Sequence, residues 1–124
     1  MPGFLQDDEQ PLYEIKANLF KALAHPVRIR VLEILCSREG PTVVRDILSE
    51  TGLEATLLSQ HLAVLKRHQV VTAERSGNAV FYRVAHPKIP ELLRIARVFL
   101  TDSLSARRDQ LAVVNALPTI GPRP

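Results

Sequence analysis

The stretch "VVRDILSETGLEATLLSQHLAVLK", residues 43–66, constrains the fold more than any other part of the chain. Val43, Ile47 and Leu48 share one helical face, and Gly52 closes that segment. Only Leu53 and Glu54 follow before helical spacing resumes with Leu58, Leu62 and Leu65 on one face. Two short helices joined by about three residues that include a glycine form a helix-turn-helix. Thr42 is the expected N-cap of the first of them.

What flanks this pair completes the architecture. In "LYEIKANLFKALA", Leu12, Ile15, Leu19, Phe20 and Leu23 recur at helical spacing, which predicts an amphipathic first helix. His25 and Pro26 punctuate it, because proline disfavours helical geometry in the residue before it and suits the first turn of a new helix. The next segment, "PVRIRVLEILCSREG", is apolar on most sides through Val27, Ile29, Val31, Leu32, Ile34 and Leu35, so it belongs at the centre of the core; Gly40 and Pro41 end it.

After the helix pair the periodicity switches. "VVTAERSGNAVFYRV" is β-branched and aromatic, with a two-residue Gly77-Asn78 turn signal in its middle. Val80, Tyr82 and Val84 fall on one face of the second strand, Phe81 and Arg83 on the other. A hairpin directly after a helix-turn-helix is a wing. From Pro87 or Pro90 to about Leu117 a long helix carries Leu92, Leu93, Ala96, Phe99, Leu100, Leu104, Leu111 and Val114. That is more apolar surface than a small winged domain covers alone, so it is expected to pack on another subunit. The expected fold is mainly α with a β-hairpin: a winged helix-turn-helix of about five helices plus a two-stranded wing. Residues 1–11 read as a flexible acidic arm, 12–117 as the DNA-binding and dimerisation domain, and the proline-rich 118–124 as a disordered tail.

Composition narrows the function classes. A chain of 124 residues with 46% hydrophobic and 23% charged side chains is globular and of one-domain size. The net charge of +3 is too small to name a partner, but its distribution is uneven. Residues 1–24 set Asp7, Asp8, Glu9 and Glu14 against Lys16 and Lys21, whereas residues 66–83 hold Lys66, Arg67, Arg75 and Arg83 against Glu74 alone. The acids near the start argue against a signal peptide, and no apolar run approaches the ~18 residues of a membrane span, so the expectation is a cytoplasmic protein with no membrane partner. One cysteine, Cys36, cannot form an internal disulfide.

Function then turns on the second helix of the pair. Residues advance by about 100° each, so Thr56, Ser59, Gln60 and Ala63 lie largely around from the leucines. In a helix-turn-helix that outer face enters the DNA major groove, where Gln pairs bidentately with adenine and Ser or Thr serves several bases. The trio Ser59, Gln60 and His61 is therefore expected to read sequence. Lys66 and Arg67 beyond it, with Arg75 and Asn78 at the wing, are expected to hold the backbone or minor groove. Taken alone, such a face is an ordinary solvated surface. Its place in the order helix, turn, helix, hairpin gives it a partner, a double-stranded DNA operator.

Catalytic and metal readings fail on spacing. Ser59 and His61 point about 200° apart and cannot act as nucleophile and base, and "TGLEAT" lacks the glycines and lysine of a phosphate loop, so no enzyme is expected. His25, His61, His68 and His86 form no chelating pair on one helix and Cys36 has no cysteine partner, so neither metal nor cofactor is expected. Each histidine reads as a cap, a surface group or a phosphate contact, and Cys36 as a small core hydrophobe.

The three motifs "LAHPVRIRVLEIL", "LSQHLAVLKRHQVV" and "ERSGNAVFYRV", in that order from about Leu19 to Val84, resemble the ArsR/SmtB family of prokaryotic winged helix-turn-helix repressors. The resemblance implies a homodimer built from the first and last helices, with Leu12, Ile15, Leu19, Leu92, Leu93, Phe99 and Leu100 at its interface, on a partly palindromic operator. Thr56, Ser59 and Gln60 match the family's groove-facing positions, His61 its signature, and Arg75 and Gly77 its wing. Two departures concern metal: "TVVRDIL" holds no cysteine pair, and "PELLRIARVFL" no Asp and His ligands. Two concern readout: Ala55 stands where a contacting Gln is frequent and Leu57 where a small or polar residue is common, so base contacts are expected to be thinner or different.

The expectation is thus a dimeric, sequence-specific transcriptional regulator, by family default a repressor, on an inverted-repeat operator, with no inducer identified. Two rivals remain: a winged-helix protein-interaction module without DNA binding, and a DNA-binding regulator switched by oxidation of Cys36.

Overall fold

The computed structural model describes residues 10–116. The disordered tail expected over 118–124 lies outside them, as does the acidic arm apart from Gln10 and Pro11. In chain order the elements are α1 (Leu12–Leu23), α2 (Pro26–Cys36), β1 (Thr42–Val43), α3 (Val44–Thr51), α4 (Ala55–Arg67), β2 (Val71–Ser76), β3 (Ala79–Val84) and α5 (Lys88–Ala116). The chain divides into two compact units at Pro90, near the start of α5.

In the first unit α2 is central, as its all-round apolar pattern predicts. His25 precedes it in extended geometry with Pro26 in the first turn, and the His25 ring accepts a hydrogen bond from the Val27 N–H at 3.1 Å, satisfying one of the donors a helix start leaves open. Val31, Leu32 and Leu35 are buried with Ile47 of α3, Leu58, Leu62 and Leu65 of α4, and Val70 and Val71 at the start of the hairpin. Each such side chain contributes on the order of 1.5–3 kcal/mol by leaving water.

Two expectations need correction. The sheet has three strands, in the order β1-β3-β2, because Thr42 and Val43 pair antiparallel with Tyr82 and Phe81. A two-residue strand is too short to leave an alternation signal. For the same reason Thr42 is not the cap of α3: Val43 occupies that position with no side-chain cap, and Thr42 is buried in β1. Its hydroxyl has no hydrogen-bond partner.

Gly52 ends α3 in left-handed geometry (φ 68°, ψ 13°), its N–H reaching the Leu48 carbonyl at 2.8 Å. Thr51 Oγ1 donates to the Ile47 carbonyl at 2.8 Å and accepts from the Leu53 N–H at 3.3 Å, so the turn between α3 and α4 is tied at both sides. The hairpin closes through Gly77 and Asn78 between the paired Ser76 and Ala79. Gly77 has φ 62° and Asn78 a negative φ, the sign pattern of a type II′ turn.

In α1 only Ala22 and Leu23 are buried; Leu12, Ile15 and Phe20 along the predicted stripe are exposed, and Leu19 is half-buried. Helix α5 begins after His86-Pro87, where the His86 ring accepts from the Lys88 N–H at 3.0 Å, the same local device as His25 and Val27. None of its 29 residues is buried; Leu92 and Leu93 are half-buried, while Phe99, Leu100, Leu104, Leu111 and Val114 are exposed.

Candidate nucleic-acid interface

Helix α4 sorts its residues by angle. Leu58, Leu62 and Leu65 face the core at 0–2% exposure, and Thr56, Ser59, Gln60, Ala63, Lys66 and Arg67 are exposed. Leu57, at 39%, is an apolar group on the same open surface. Lys66 and Arg67 in the last turn also suit the negative end of the helix dipole. Among the described residues none of Arg45, Lys66, Arg67 and Arg75 is held in an ion pair, so these guanidinium and ammonium groups are open to an outside anion.

His61 departs from the expected set. It is 8% exposed, its Nδ1 lies 3.3 Å from Arg28 Nη1, and its ring centroid is 4.4 Å from that of His25. The trio therefore splits: Ser59 and Gln60 point out, and His61 points in. Burial, with His25 and Arg28 beside it, holds its pKa below the usual 6.5. The signal was its spacing, three residues after Leu58 and four before Leu65, which puts it on the flank of the buried stripe. His68 is a cap, its Nδ1 donating to the Val64 carbonyl at 3.0 Å.

A cleft of about 390 Å³ brings three elements together. Ala55 and Ser59 come from α4, Asn78 and Tyr82 from the hairpin, and Arg45 from the first turn of α3. Arg45 escapes sequence reading because its relevance depends on the hairpin folding back beside α3. Thr56, Gln60, Arg67 and Arg75 lie outside this cleft, and Lys66 lines a separate groove with Gln69, Thr72 and His86. Arg75 sits near the hairpin tip, paired in register with Val80, whereas Arg83 shares a different pocket with Glu74 and Pro41. Arg45, Lys66 and Arg83 thus line three different hollows rather than converging on one point, an arrangement suited to an extended polyanion.

Among the described residues no three His, Cys, Asp or Glu side chains cluster as a metal site would require. Cys36 is half-buried at the end of α2, and burial together with nearby Glu33 raises its thiol pKa above the usual 9.0, which disfavours the reactive thiolate. No helix among the described residues is long and apolar enough to cross a membrane.

Comparison with known proteins agrees with this geometry. The family model described as "Bacterial regulatory protein, arsR family" matches residues 25–73, from the cap of α2 into β2. The uncharacterised HTH-type transcriptional regulator Rv0081 of Mycobacterium tuberculosis is 48% identical over 110 residues, covering 89% of this chain and 93% of that protein. Its crystal structure superposes with a TM-score of 0.72 at 51% identity, over 80% of this chain and 98% of the other. The HTH-type transcriptional repressor SmtB of the same organism is 38% identical over 84 residues, 68% of this chain and 61% of SmtB. The homodimeric winged helix-turn-helix DNA-binding domain Mb0332 of Mycobacterium bovis, solved by NMR, gives a TM-score of 0.69 at 30% identity, over 77% of this chain and 86% of the other.

Proposed function

The chain belongs to the arsR family of bacterial regulatory proteins, and from that premise we propose that this HTH-type transcriptional regulator binds an inverted-repeat operator as a homodimer and represses transcription there. The observation that carries the reading is the surface around α4: Ser59, Asn78 and Arg45 share one cleft, and Lys66, Arg67 and Arg75 are exposed and held in no ion pair among the described residues. In this reading Thr56, Ser59 and Gln60 contact base edges, while Arg45, Lys66, Arg67, Arg75 and Asn78 hold the sugar-phosphate backbone. His61 has no part in direct contact, since its ring is turned inward.

Exposed Leu12, Ile15, Phe99 and Leu100, together with half-buried Leu19, Leu92 and Leu93, support dimerisation through α1 and α5 with these side chains as the contact set. The homodimeric state of Mb0332 supports it, and the repressor SmtB supports repression. A regulator of this kind works where the chromosome is, so the reading carries a cytoplasmic location. The test is a mobility shift with a duplex from upstream of the protein's own gene, against a scrambled duplex of equal length. Selective retardation of the first supports the proposal, and equal or absent retardation of both refutes it.

A further inference from the structure

Arg28 joins three helices. Its Nε donates to the Ala22 carbonyl at 2.6 Å and its Nη2 to the Lys21 carbonyl at 3.3 Å, both at the end of α1. Its Nη1 donates to Nδ1 of His61, in the middle of α4, at 3.3 Å. Against the same ring, 4.4 Å between centroids, lies His25, whose own Nδ1 accepts from the Val27 N–H at 3.1 Å. A guanidinium can only donate, so His61 must keep a lone pair on Nδ1 and therefore be neutral. A proton on that Nδ1 replaces the hydrogen bond by two opposed donors, and it sets a cation beside Arg28 with 8% of the residue left for water.

We propose that Arg28 and His61 are positioning residues for DNA reading, fixing the recognition helix α4 against the end of α1, and that acid releases them, so that operator affinity and the order of α4 fall together. The proposal rests on the DNA-binding reading above. The groups that act on His61 are His25 and Arg28, both from α2; α1 faces the joint with backbone carbonyls, and no carboxylate from α1, α4 or β2 acts on the ring among the described residues. Those neighbours and burial lower the pKa of His61 from 6.5, so the joint is whole above that value and weakens progressively as pH falls below it. The direction is distinctive. Acid ordinarily strengthens protein–DNA contacts by charging surface histidines, whereas release of this joint weakens them.

The experiment uses the full chain, at constant salt, at pH 7.5 and 5.5. Binding to the upstream duplex is followed by fluorescence anisotropy, and amide-exchange protection factors for Ala55–Arg67 are measured without DNA. The comparison protein carries His25→Asn, which keeps an acceptor at the cap, and His61→Gln, which still accepts from Arg28 but does not titrate. The wild type is expected to lose protection in α4 by up to roughly ten-fold, and affinity falls with it, while the double variant holds both within about two-fold. Wild-type affinity that stays level or rises in acid, unchanged α4 protection, or an equal fall in both proteins overturns the proposal. If the double variant fails to fold, the wild-type profile decides alone. If the wild type does not bind the duplex at pH 7.5, the DNA-binding reading falls, and the protection factors still decide the joint.

Discussion

The backbone N–H of Val70 reaches back to the carbonyl of Leu65 at 2.9 Å, and that bond both ends the recognition helix and launches the hairpin. With the Gln69 N–H on the Lys66 carbonyl at 3.0 Å it forms a Schellman motif, sealed by the buried side chains of Leu65 and Val70. The motif forces Gln69 to φ 60°, a region where a side chain costs about 1–2 kcal/mol. Gln69→Gly is therefore expected to raise the unfolding free energy by about 0.5–1 kcal/mol after glycine's own entropy is counted, and Gln69→Val to lower it. Urea denaturation of the pair measures both.

The two faces of α4 should separate stability from recognition. Leu65→Ala removes a fully buried side chain and should cost about 2–5 kcal/mol. Ser59→Ala, on the exposed face, should change stability by less than about 0.5 kcal/mol while altering DNA binding. A Ser59→Ala loss comparable to that of Leu65→Ala, seen in the same urea titrations, would contradict this division.

That division was readable from the sequence because leucines at helical spacing define a face regardless of what surrounds them. Gly52 and Gly77-Asn78 were readable for a related reason: each marks a backbone geometry that few other residues adopt. Strand β1 was not, since two residues have no period and its pairing with Tyr82 and Phe81 is made across a long stretch of chain. The place of His61 follows its angle on the helix and not its polarity, and only the structure supplies Arg28, the partner that lets an imidazole sit inside. Arg45 depends on tertiary proximity and leaves no local trace. For α1 and α5 the apolar pattern was legible but not what covers it, because a surface meant for a partner reads like one meant for the chain's own core.

The thiol of Cys36 should be sluggish. Its raised pKa leaves less thiolate at neutral pH than a free cysteine has, and the rate should still be climbing past pH 9.0, where that of a free cysteine levels off. Alkylation by iodoacetamide, followed by mass spectrometry across pH 7–10, checks this. Cys36→Ser should also leave DNA binding unresponsive to mild oxidant, as in the wild type; a wild-type response that the substitution abolishes would restore the redox reading.

Phe99 and Leu100, 68% and 55% exposed on α5, offer a clean test of self-association because no residue of that helix is buried. Phe99→Glu combined with Leu100→Glu should leave the fold intact by circular dichroism and shift the protein from dimer to monomer in sedimentation velocity. Operator affinity should drop with it, since one half-site replaces two. A wild type that already sediments as a monomer would remove these residues from the interface.

The central claim, that α4 reads bases while the flanking cations hold phosphates, is tested most directly by salt titration of wild type, Gln60→Ala and Arg75→Ala on the upstream duplex and on random DNA. Gln60→Ala is expected to lose discrimination between the two, by about 1–3 kcal/mol, with an unchanged salt slope. Arg75→Ala should weaken both duplexes alike and flatten the slope by about one unit. Unchanged selectivity in Gln60→Ala, with a slope in Arg75→Ala that matches the wild type, would contradict the account.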